Sequence, residues 1–183
     1  TYKGENIPGG VLILHPMLYK SRRFERTKEV VEHLKSQYKH VIDLTHFEES
    51  GKALEGKGSI VFHHRAKLFF IARSNRAHED VISELVEEWN KISVRAYRAV
   101  TFEAQDAHGD VIYHTDCLMS LLGKHAFICV DALRDKQEKN AVLDALAQGD
   151  EPLQPIYLTF DQIGQMAANA QCVTNKNGDY CVI

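Results

Sequence analysis

A recurring order of two short strands, one helix and one further strand constrains this chain more than any other feature. Apolar arms at residues 59–63 and 68–72, joined by the polar stretch 64–67, predict a β-hairpin. Residues 77–91 follow with Val81, Leu85 and Trp89 on one helical stripe, flanked by Ile82 and Val86. That 3.6-residue period predicts an amphipathic helix whose stripe is core. A strand at 94–102 closes the unit. The order then returns: arms at 111–121 and 126–130 about Gly123-Lys124, a helix over 136–147 with Val142, Leu143 and Leu146 inward, a stop at Gly149, and a strand at 156–158. The repeat is roughly 50 to 60 residues long. Ahead of the two complete units, a strand at 11–14, a helix over 25–38 and a strand at 41–44 read as the end of an earlier one. Behind them, 170–174 and 180–183, joined by 175–179 with its Asn177-Gly178 turn, read as the hairpin that begins another. Strands paired by hairpins and by helical crossovers predict an α/β fold of mixed sheets with outward helices. Such modules pack radially about a central channel, and a closed ring needs more of them than this chain supplies. The expectation is a single domain over residues 1–183, holding about three of five modules, with both ends cut inside a module.

The 183 residues, 44% hydrophobic and 26% charged, suffice for one domain with a proper core. No apolar run approaches the ~20 residues that span a bilayer, and nothing at the start resembles a signal peptide, so a cytoplasmic protein with no membrane partner is expected. A net charge of −3 with interspersed signs offers no basic stripe for a phosphate backbone, which argues against nucleic acid as a partner. The four cysteines, Cys117, Cys129, Cys172 and Cys181, lie in apolar strand-like segments without C-x-x-C spacing. They read as reduced core residues rather than as metal ligands. The basic cluster Lys20-Ser21-Arg22-Arg23 reads as a solvated loop ahead of a helix, with an anion site as the weaker alternative.

Polar residues interrupt the apolar run 111–121 at Tyr113-His114-Thr115-Asp116. On an extended strand His114 and Asp116 would share a face, bringing an imidazole and a carboxylate into one space. The same two residues also suit a solvent-facing strand end. A metal hydrolase built on His63, His64, His108, His114 and Asp116 is a weaker reading, because the histidines are many but their spacing matches no metal-ligand motif.

Four pieces, in one order and in step with the modules, carry a resemblance. They are Leu12-Ile13-Leu14-His15-Pro16-Met17 with Arg22-Arg23-Phe24-Glu25-Arg26, then Leu54-Glu55-Gly56-Lys57-Gly58-Ser59, then Ala72-Arg73-Ser74-Asn75-Arg76, then Tyr113-His114-Thr115-Asp116. The chain resembles the guanidine-modifying enzymes of the amidinotransferase and arginine deiminase superfamily, nearest to its arginine-deiminase-related, citrulline-hydrolase-like branch. That resemblance implies the pentein fold, a five-bladed α/β propeller of ββαβ modules.

It also implies a chemistry. A guanidinium carbon is a poor electrophile, so the family attacks it with a cysteine thiolate, and water or an amine resolves the covalent intermediate. The expected activity is a thiol-dependent hydrolase or amidinotransferase acting on arginine, a methylated arginine or citrulline, with no metal and no organic cofactor. By resemblance His114 is the general acid/base and Asp116 binds the guanidino or ureido nitrogens. Glu55 orients His114, and Arg76 faces a substrate carboxylate. Alternatively, Glu55 ligates turn amides and Arg76 pairs with Glu79 or Asp80. None of the four cysteines sits in the Gly-rich context of the family's nucleophile, which is expected outside the chain shown. Asn169 falls where the branch has Gly-Asn. A chain without that nucleophile would instead be a non-catalytic, propeller-fold binding protein. Oligomeric state is open, a homo-oligomer included.

Overall fold

The computed structural model describes residues 1–149, 152–174 and 180–182. Its elements run in chain order as three modules and a hairpin. The first module holds β1 (Tyr2–Gly4), β2 (Ile7–Leu14), α1 (Lys20–Arg23), α2 (Lys28–Lys35) and β3 (His40–Asp43). Then come α3 (Gly56–Ser59), β4 (Val61–His63), β5 (Leu68–Ala72), α4 (Glu79–Ile92) and β6 (Arg98–Phe102). The third holds β7 (Met119–Leu122), β8 (His125–Ile128), α5 (Lys136–Leu146) and β9 (Gln154–Tyr157), followed by α6 (Phe160–Gly164), β10 (Cys172–Thr174) and β11 (Tyr180–Val182). The sheet orders β1-β2-β3, β4-β5-β6 and β7-β8-β9 repeat one design. In the first and third sheets a hairpin pair is antiparallel and the strand after the helix joins in parallel. The expectation of only the end of an earlier unit is therefore corrected: β1 pairs with β2, and the first module is complete.

The chain divides into two compact units, residues 1–56 with 75–98, and residues 57–74 with 99–183. In the first, α4 lies against β3 and buries Val81, Ile82, Leu85 and Trp89, the predicted stripe. The Trp89 indole meets Tyr2 at 5.6 Å and Tyr97 at 5.3 Å between ring centroids. Edge contacts of this kind add to the area that the rings bury. In the second unit all five residues of β5 are buried. Phe70 joins Phe102, Leu118, Met119, Ile128 and Val142 in one apolar cluster. Cys129 belongs to that cluster as predicted, and burial raises the pKa of its thiol.

Element ends differ from the sequence reading in three places. The predicted helix 25–38 forms only over Lys28–Lys35, and residues 45–50, expected as a polar connection, wind into a 3-10 helix. Residues 111–121 do not form one strand. A single bridge at Val111 and a 3-10 turn at Thr115–Cys117 precede β7. The β7–β8 turn is the predicted Gly123-Lys124, with Leu122 opposite His125 and Gly123 at φ 62°, a conformation that favours glycine. Helix α6 escaped the sequence reading although Thr159-x-x-Gln162 carries its signal. The Thr159 hydroxyl accepts from the Gln162 amide, and the Gln162 side chain accepts from the Thr159 amide. The predicted Asn177-Gly178 turn lies outside the described residues; the arms it joins pair antiparallel as β10 and β11.

Candidate functional site

The four sequence-predicted residues fall into two pairs, one in each unit. Glu55 and Arg76 belong to the first, where antiparallel bridging of Leu54 with Ala77 sets the two segments side by side. The Glu55 amide donates to the Arg76 carbonyl at 3.1 Å. The Glu55 side chain is 0% exposed and accepts three donors: Arg22 Nη1 at 2.7 Å, the Leu18 amide at 3.2 Å and Arg76 Nη1 at 3.4 Å. A buried carboxylate persists only when such partners replace its lost hydration. The Arg76 guanidinium also lies over the Tyr19 ring, 5.2 Å from its centroid.

Arg22 is the residue that the sequence reading misplaced. The basic cluster is not a solvated loop: residues 20–23 form α1, and the guanidinium groups of Arg22 and Arg23 meet the buried Glu55 and the largely buried Glu48. Arg23 and Arg26 both pair with Glu48, at 3.3 and 3.0 Å, and Glu48 also accepts from the Met17 amide at 2.9 Å. Two glutamates, Glu48 and Glu55, thus tie down the segment from residue 17 to 26. The same unit holds a cavity of about 390 Å³ whose lining includes His15, Arg22, Arg26 and Glu55. Burial lowers the His15 pKa to about 4, so this imidazole is neutral at pH 7.

His114 and Asp116 belong to the second unit and flank Thr115, which is completely buried. The expected shared face of a strand is not what sets them together. Thr115 Oγ1 donates to the Ser59 carbonyl at 2.6 Å and accepts from the Ala72 amide at 2.8 Å. This pins the 3-10 turn to the ends of α3 and β5. Ser74 Oγ adds a bond to the Tyr113 carbonyl at 2.9 Å. Threonine is the residue that sequence reasoning passed over here; a hydroxyl between two titratable groups in an apolar run was the available signal.

The His114 imidazole lies directly over Gly58. A Cβ built on Gly58 would stand 3.0 Å from His114 Nδ1 and 3.2 Å from Cε1. The glycine is therefore required by close approach rather than by its own dihedrals. Tyr113 closes the other side, ring centroid to ring centroid 4.8 Å. Asp116 is half-buried, and burial raises its pKa even though His114 and Lys57 both favour the carboxylate. Asp116, Lys57, Ser120 and Asn169 line a second cavity of about 390 Å³, within the size range of small-molecule sites. Cys172 lines it too, while Cys117 lines a different cavity with Asp106 and His108. The Cys117 Sγ lies 3.9 Å from Asp116 Oδ1. Among the described residues no three His, Cys, Asp or Glu side chains gather to hold a metal ion, and no helix is long and apolar enough to cross a membrane.

A half-buried carboxylate, an imidazole seated on bare backbone and a cavity of this size can hold a small planar cation and move a proton at its edge. Comparison with solved structures agrees on the fold. Over 91% of this chain, apo ArgZ, an arginine dihydrolase from the ornithine-ammonia cycle in cyanobacteria, superposes with a TM-score of 0.67 at 16% identity. The N-terminal domain of ArgZ, solved as a cysteine-to-serine mutant bound to substrate, matches 90% of the chain with the same score and identity. The dimethylarginine dimethylaminohydrolase of Pseudomonas aeruginosa, solved with citrulline, matches 88% with a TM-score of 0.54 and 14% identity. The chain spans 24% of the apo ArgZ chain, 54% of the ArgZ N-terminal domain and 51% of the Pseudomonas enzyme. These likenesses establish a pentein-type α/β fold, represented here by three of its ββαβ modules. A search of curated protein sequences finds no match. The sequence profile described as "N,N dimethylarginine dimethylhydrolase, eukaryotic" aligns with residues 5–183, nearly the whole chain, and the protein therefore belongs to that family.

Proposed function

We propose that this chain carries the proton-transfer and cation-binding residues of a thiol-dependent hydrolase acting on a small guanidino or ureido compound of the arginine, methylarginine or citrulline type. The observation that carries the reading is the Thr115-pinned turn, which holds His114 over Gly58 and Asp116 at a cavity in a chain of this family. The family's description names a hydrolase, which favours water over an acceptor amine as the final nucleophile.

In this reading the Asp116 carboxylate accepts N–H bonds from the planar end of the substrate. His114 donates a proton to the departing nitrogen and then takes one from the incoming water. The attacking thiolate forms a C–S bond as the C–N bond breaks, and hydrolysis later releases it. Glu55 and Arg76, paired with each other in the first unit, carry only the roles that the resemblance implies. Cys129 is sealed in the core, and no described cysteine stands in a Gly-rich segment. The nucleophile is therefore assigned outside residues 1–183.

The test is turnover by the complete chain, measured as citrulline, ornithine and ammonia released from arginine and its analogues. His114→Ala is expected to lower turnover by about 10²- to 10⁴-fold without lowering Tm. Trapped intermediate, digested and read by mass spectrometry, should carry its adduct on a cysteine other than Cys117, Cys129, Cys172 and Cys181. Full turnover in His114→Ala would refute the assignment of the acid/base.

A further inference from the structure

Within the Asp116 cavity one polar group is buried without a use. Ser120 is 7% exposed, and its Oγ finds no hydrogen-bond partner among the described residues. Its neighbours explain why. Strand β7 places Ser120 opposite Phe127, and Met119 and Leu122, near it on the strand, are buried apolar residues. A buried hydroxyl left unpaired costs stability, and an alanine would avoid that cost with the loss of one atom. Yet the hydroxyl borders the cavity that Asp116, Lys57 and Asn169 also line.

We propose that Ser120 is a ligand-contacting residue of this cavity, its hydroxyl bonding the same nitrogen-bearing end of the guanidino or ureido compound that Asp116 holds. The inference rests on the functional reading above and adds a residue to it. Ser120 lies four positions beyond Asp116 and reaches the cavity from β7, whereas Asp116 reaches it from the 3-10 turn. The two oxygens thus come from separate elements. A carboxylate can accept two parallel N–H bonds from a planar cation, and a hydroxyl can accept a third. The same hydroxyl can donate to the oxygen of a ureido group. A serine can therefore serve a substrate and its ureido counterpart alike, which a second carboxylate could not do.

The complete chain is titrated calorimetrically with arginine, with N,N-dimethylarginine and with citrulline, as the wild type and as Ser120→Ala, Ser120→Cys and Asp116→Asn. Ser120→Ala should weaken each of the ligands that the wild type binds by about tenfold, while Tm without ligand stays level or rises, because no internal bond is lost. Ser120→Cys keeps the volume and should fall between the two. Wild-type affinity in Ser120→Ala, with binding lost in Asp116→Asn, overturns the role of Ser120 and leaves the reading of the site standing. A lower ligand-free Tm in both Ser120 variants would show that the hydroxyl serves the fold, and overturns it too. A wild type that binds none of the three overturns the reading itself, and the role of Ser120 with it.

Discussion

Two carboxylates in this molecule differ in almost every respect that decides what a carboxylate can do. Glu55, in the first unit, is fully buried and accepts from two guanidinium groups and a backbone amide. Asp116, in the second, is half-buried beside a cavity, with His114 and Lys57 favouring its carboxylate and a pKa that burial still raises. A carboxylate whose partners match its desolvation stabilises the fold. In the proposed reading, one whose partners fall short gains a counter-ion when a cationic ligand arrives.

The largest expected effect breaks this comparison most directly. Asp116→Asn should weaken binding of a guanidinium compound by about 100-fold, since the negative charge is lost and one of the two acceptor oxygens is replaced by an NH₂ donor. The same change should raise Tm at pH 7. A carboxyl whose folded pKa is raised stabilises the fold below its ordinary value near 4, and that contribution is lost as pH rises through the folded value. The advantage of asparagine should therefore vanish in acid. A Tm that falls at pH 7 would place Asp116 with Glu55 as a structural acid.

Glu55→Ala should act in the opposite sense on stability. It removes the buried acid that Arg22 and Arg76 share, while Arg22 keeps its pair with Glu25 at 3.2 Å, and because their side chains are 35% and 21% exposed, water takes up part of the loss. A cost of about 2 kcal/mol in denaturant unfolding is expected, less than for a fully enclosed pair. A neutral result would mean that the arginines are as well served by solvent.

Gly58→Ala sharpens the same comparison at the imidazole. The added methyl meets His114 Nδ1 at 3.0 Å, so the ring must yield by a few tenths of an ångström. Turnover should fall by about tenfold through misplacement of the acid/base, with stability within about 1 kcal/mol of the wild type. Equal loss of stability and activity would make the contact a packing constraint only.

The smallest effect is a pH slope that both units share. Burial lowers the pKa of His15 in the first unit and of His64 in the second to about 4, below the ordinary 6.5. Each therefore contributes stability that is present above pH 6.5 and lost as pH falls toward 4, at no more than about 1.4 kcal/mol per pH unit. Thermal unfolding across that window should flatten in His15→Asn and in His64→Asn. An unchanged slope in either would show that the imidazole protonates within the folded state.

The module order was legible in the sequence because it rests on local periodicity. The Val81-Leu85-Trp89 stripe, the Gly123-Lys124 turn and the apolar run 68–72 each meet their expected element. Chemistry-bearing residue types were legible for a similar reason, since His114 and Asp116 stand out against apolar neighbours. How they are held was not. The strand expected over 111–121 is interrupted because Thr115 finds partners at Ser59 and Ala72, 56 and 43 residues away in sequence. Arg22 looked solvated because its acid lies 33 residues on. Sequence alone thus determined the order of the modules and which side chains have chemistry to offer, since both are written within a few residues. Only the tertiary structure decided which charges are paired inside the fold and which border a cavity, because desolvation and hydrogen-bond partnership depend on neighbours that no local window contains.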